Sequence, residues 1–66
     1  MSKESQRDKI LRWLQKRGSD GVMNWELNNI AFRYGGRIHE LRKRGWEIET
    51  KREAEGLFRF ILRGKT

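Results

Sequence analysis

At 66 residues, without cysteine and with a single histidine, the chain has room for one modest core, and neither a disulfide framework nor a Cys/His zinc site can support it. Sixteen Lys and Arg against nine Asp and Glu leave a formal charge of +7, which points to a polyanionic partner, with plain solubility as the simpler explanation. The opening MSKESQRDK has no apolar signal segment and no apolar run approaches the ~20 residues that span a bilayer, so a cytoplasmic protein without membrane contact is expected.

Residues 5–17 carry Ile10, Leu11 and Leu14 at helical spacing with Trp13 flanking them, which predicts an amphipathic helix. Ser5 is its candidate N-cap, Asp8 suits its first turn, and Gly18 ends it behind Lys16 and Arg17. GSDGVM reads as a turn followed by a short strand near residues 21–23. Asn24 is a candidate cap for a second, short helix, with Glu26 near its positive end; Leu27, Ile30 and Ala31 form its buried stripe, and it ends near Phe32. Arg33-Tyr34-Gly35-Gly36 reads as a break leading into a third helix, placed at about 35–44. Its apolar edge is Ile38 and Leu41, and Gly45 stops it after a cationic last turn.

From Trp46 the period changes to two. Trp46 and Ile48 alternate with Glu47 and Glu49, and Phe58, Phe60 and Leu62 alternate with Arg59 and Arg63. KREAEG between them is the expected hairpin connection. One domain over residues 1–66 is expected, with 1–4 disordered and 64–66 frayed. Trp13, Trp46, Phe58 and Phe60 are assigned to the core, while Trp25 lies off its helix's stripe and is expected half exposed.

This order predicts an α+β winged helix-turn-helix: three helices, a C-terminal two-stranded β-hairpin wing and the stub of strand near 21–23. Residues 37–48, RIHELRKRGWEI, follow the pattern R-I-S-x-L-R-K-x-G-W/Y-x-I, with His39 where Ser is commoner, and KILRWLQKRG at 9–18 follows ILxYLxxxG. On these motifs the chain resembles the small winged helix-turn-helix domains of bacteriophages and bacterial mobile elements, over about residues 7–63. It departs from them at GVMNWELNNIA, where the family favours S/T-x-x-E-A/L, and at FRYGG, whose two glycines stand where bulkier residues are common. The resemblance implies a role on double-stranded DNA: transcriptional regulation, excision or an accessory step.

A recognition helix in the major groove reads bases from near its N-terminus. With Ile38 and Leu41 buried, the opposite face runs through Arg33, Gly36, Arg37, Glu40, Lys43 and Arg44. Arg33 and Arg37 suit bidentate readout of guanine, and Glu40 either accepts from cytosine N4 or orients Arg37 or Arg44. Gly36 permits close approach, and Lys43 and Arg44 suit phosphates. His39 is a surface residue or a phosphate contact. Lys51 and Arg52 are candidate wing contacts, opposed by Glu53 and Glu55 beside them. Residues 33–44 hold five cations and one acid, net +4, whereas 45–56 hold two cations and four acids, net −2. That concentration favours a nucleic-acid face over charge spread for solubility.

No nucleophile–base pair, phosphate loop or metal cluster is visible, so neither an enzyme, a metal, a cofactor nor a small-molecule substrate is expected. The competing expectation is a winged-helix module that binds and modulates a host protein, favoured by Trp25, Phe32 and Tyr34 if exposed. A single domain of this kind covers only about 600–1,000 Å² of DNA, so a homodimer or protein partner is expected beside the duplex.

Overall fold

Ser5 does cap the first helix: its Oγ accepts the Asp8 N–H at 3.1 Å. The computed structural model, which describes residues 5–66, carries that helix, α1, over Gln6–Arg17, with Ile10 and Leu14 buried. The expected disorder of residues 1–4 lies outside the described residues. A 3-10 turn, Gly18–Asp20, leads to the two-residue strand β1, Val22–Met23, and then to α2, Asn24–Ile30. Helix α3 spans Tyr34–Lys43, and the strands β2, Trp46–Ala54, and β3, Leu57–Lys65, form the hairpin.

β3 is central in an antiparallel sheet of order β1-β3-β2. The hairpin is thus not a free two-stranded wing, because Val22 and Met23 pair with Phe60 and Arg59 on its other edge. Over the regular register Ile48–Arg52, Ile48, Thr50 and Arg52 lie opposite Leu62, Phe60 and Phe58. Alternation puts these six on the helix side and Glu49, Lys51, Arg59 and Ile61 on the other. Ile10, Leu14, Val22, Leu27, Ala31, Ile38, Leu41, Ile48 and Phe60 make one core, and Leu11, Trp13, Tyr34, Trp46 and Phe58 pack against it half-buried.

Several local expectations are corrected. Asn24 is the first residue of α2 rather than its cap. The exposed end of that helix is instead served by Glu26, whose Oε2 accepts the Met23 N–H at 3.0 Å. Asn24 ties α2 to the wing: its Nδ2 donates to Gly56 O and its Oδ1 accepts the Phe58 N–H, each at 3.1 Å. The break before α3 is also shorter than expected, since Tyr34, Gly35 and Gly36 already belong to the helix. Tyr34 explains this, meeting Phe60 edge-on with ring centroids 5.8 Å apart. That anchorage on β3 outweighs the weak helix propensity of the two glycines.

The hairpin connection narrows from KREAEG to Glu55-Gly56, with Gly56 at φ +78°. Residues 64–66, expected to fray, are paired: Gly64 opposes Glu47, Lys65 opposes Trp46, and the Thr66 N–H donates to Gly45 O at 2.7 Å. Ile61 is buried although alternation places it on the far face. Gly21 makes this fit, because a Cβ there would lie 2.9 Å from Ile61 Cγ1 and 2.8 Å from Phe60 O.

Candidate nucleic-acid interface

The face of α3 opposite Ile38 and Leu41 is open. Gly36, His39 and Lys43 are exposed along its outer line, with Gly35 and Arg44 exposed beside them and Arg33 exposed at its entry. Neither Gly35 nor Gly36 has a positive φ, and a Cβ at either would meet nothing within 4 Å. Nothing inside the chain therefore requires glycine at these two positions. In a helix each costs about 0.5–1 kcal/mol relative to alanine.

The cations of this region divide into engaged and open groups. Arg37 Nη1 donates to Glu40 Oε1 at 2.9 Å, and Arg7 of α1 lies 3.8 Å from Glu40 Oε2. The Arg37 hydrogen bond, with the charges of Arg37, Arg7 and Arg44, holds the Glu40 carboxyl below its ordinary value. Glu40 thus stays ionised and fixes Arg37 at the α1–α3 seam. Of the two roles foreseen for Glu40, the structure displays the orienting one, toward Arg37.

Arg42, counted among the basic residues of this helix, is turned to a different task. Its guanidinium donates twice to Ile48 O, at 2.7 and 3.2 Å, and once to Thr50 Oγ1 at 3.0 Å, binding β2 to α3. Arg33, Lys43 and Arg44 form no ion pair with a carboxylate among the described residues. On the wing, Lys51 and Arg52 are both exposed but lie on opposite faces of β2. Only Arg52 shares the helix side of the sheet with α3. The neighbouring acids are partly committed: Glu53 Oε2 lies 3.4 Å from Arg59, whose guanidinium also reaches the Asp20 carbonyl.

Arg7 had no signal in the sequence as part of this region, because its place beside Glu40 depends on how α1 packs across α3. With Ser5, Gln6 and Arg37 it lines an open cleft of about 300 Å³ at the start of α1. Among the described residues there is no group of three or more His, Asp or Glu that could hold a metal ion, and no helix is long and apolar enough to cross a membrane.

Three helices with an open third helix, followed by a hairpin wing, define a winged helix-turn-helix domain, a class that in general binds DNA rather than catalysing reactions. The chain belongs to the winged helix domain family, whose model matches residues 1–64. No curated protein and no solved structure matches it.

Proposed function

We propose that this protein binds double-stranded DNA through α3. Gly36 and His39 face the major groove, Arg33 and the Glu40-oriented Arg37 read base edges, and Lys43, Arg44 and Arg52 touch phosphates. The observation that carries this is the open outer line of α3, glycine at its first turn without internal cause, flanked by Arg33, Lys43 and Arg44, which form no ion pair among the described residues. Two bare glycines let a duplex come closer to the helix backbone than any side chain would. Lys51, on the far face of β2, is the weaker wing candidate of the two. The biological setting we favour is a phage or mobile-element transcriptional regulator or an excision or accessory factor, acting in the cytoplasm and relying on a second copy or a protein partner for specificity.

Fluorescence anisotropy with a random-sequence duplex tests it. Three phosphate contacts, from Lys43, Arg44 and Arg52, give a log–log salt slope of about −2.7. Lys43→Ala is expected to flatten that slope by about 0.9 while leaving the fold intact. Affinity that ignores salt, or that survives the combined Arg33→Ala, Lys43→Ala and Arg44→Ala change, would reject the assignment. That outcome would leave the competing one, a module that binds and modulates a host protein.

A further inference from the structure

The α1–α2 flank carries a second surface for which DNA binding through α3 has no use. Trp13 sits where two open grooves meet. One, of about 290 Å³, is lined by Lys9, Trp13, Trp25, Glu26, Asn29 and Ile30. The other, of about 410 Å³, runs over Trp13 among Arg12, Lys16 and Arg17. The wall between them is built rather than loose. The Arg17 guanidinium covers the Trp13 ring at 5.3 Å and pairs with Glu26 Oε1 at 2.6 Å. Glu26 in turn accepts the Met23 N–H at 3.0 Å.

This surface has an apolar floor and a charged edge. Trp13 and Ile30 are half-buried, and Trp25 is 56% exposed. Phe32, just past the end of α2, is 85% exposed. Lys9, Arg12 and Lys16 follow one another along α1 at i, i+3 and i+7 and form a cationic rail beside that floor. Glu26, the carboxylate among the described residues that line the groove, is already matched by Arg17. Arg7, which reaches Glu40 on α3, lies on the other side of α1, so this surface and the outer line of α3 can be occupied together.

We propose that the α1–α2 flank docks an acidic amphipathic helix of a partner protein. The partner's carboxylates lie along Lys9 and Lys16, and its large apolar side chains enter the floor formed by Trp13, Trp25 and Ile30. Charge and polarity together select this occupant. Duplex phosphate satisfies the rail but brings no apolar side chain to the floor. A second copy of the chain is a poor match, because it offers no acidic helix: α2 and α3 carry one acid each, Glu26 and Glu40, already paired with Arg17 and Arg37, and α1 carries Asp8 among five cations. The protein then couples two ligands, DNA on α3 and an acidic helix on the opposite flank, although the second contact does not depend on the first.

The test uses the full chain, labelled with 15N, and a synthetic 16-residue helical peptide with Glu on its polar face and Leu and Phe at i, i+3, i+4 and i+7. Saturable shifts of the Trp13 and Trp25 indole N–H signals are expected. Trp25→Ala, at a position exposed enough to leave folding unaffected, should weaken binding about tenfold or more, as should the Lys9→Glu, Lys16→Glu pair. Duplex DNA added at saturation should leave the peptide-induced shifts in place. Four results would each overturn the proposal: no indole shift in a folded spectrum, an equal response to the peptide with Lys in place of Glu, the same shifts from anionic phospholipid vesicles or single-stranded DNA, or displacement of the peptide by duplex.

Discussion

Asn24 joins α2 to the wing turn through both ends of its amide, serving Gly56 O and the Phe58 N–H. Asn24→Ala removes both bonds and is expected to cost about 1–2 kcal/mol. A lowered denaturation midpoint and faster amide exchange at Phe58 would record it. Glu26 works at the same scale. The Met23 N–H is the largest influence holding its carboxyl below the ordinary value of 4.5; desolvation opposes it, and Arg17 adds to the lowering. Because the folded value is the lower one, this contribution to stability is fully present above about pH 4.5 and is lost as the pH falls through the depressed value. Arg17→Ala should move the Glu26 titration, followed by carboxyl NMR, only part of the way back toward 4.5, since the Met23 N–H remains.

Among the elements, α3 sets local stability against access. Its first turn holds Gly35 and Gly36, which nothing in the fold requires. Gly36→Ala is expected to stabilise the free protein by about 0.5–1 kcal/mol, raising Tm by roughly 2–8 °C in a domain of this size. The same substitution should weaken duplex binding, because the added methyl group lies where the DNA approaches. Thermal denaturation and anisotropy on one sample separate the two effects, and a variant that is more stable yet binds as well as before would show that Gly36 is no contact. The wing, by contrast, is held rather than free. Arg42 ties β2 to α3, Asn24 ties the turn to α2, and β1 pairs along β3. A wing braced from three sides presents Arg52 in a fixed position relative to α3.

For the whole molecule the margin is small. A domain of 66 residues has a stability of about 3–10 kcal/mol. Leu14, fully buried in the one core, is expected to lose about 2–5 kcal/mol on Leu14→Ala, a large share of that total. Chemical denaturation should show the midpoint collapsing toward zero denaturant, whereas surface changes such as Lys43→Ala leave it near the parent value. The charge of +7 acts at this scale too, since it accelerates encounter with any polyanion. Direction comes from its distribution: cations open on α3, others on the outer side of α1, and two of the strand acids, Glu53 and Glu49, matched by Arg59 and Arg63.

The sequence by itself determined the α+β plan, the order of the elements and the extent of α1, because capping, helical period and strand alternation are local properties written in neighbouring residues. Ser5, Gly18, the Ile38–Leu41 edge and the Phe58–Phe60–Leu62 alternation were all legible in that way. The basic third helix was legible too, as a count of cations. Only the tertiary structure decided which of those cations are open, since Arg37 is engaged by Glu40 and Arg42 by Ile48 O, and neither Arg7 nor β2 is placed beside α3 by spacing alone. It also decided where α3 begins, because Tyr34 finds Phe60 26 positions further along the chain, and how the C-terminus is held, because Thr66 returns to Gly45. Contacts across such separations depend on how the elements pack, and no window of local sequence contains both partners.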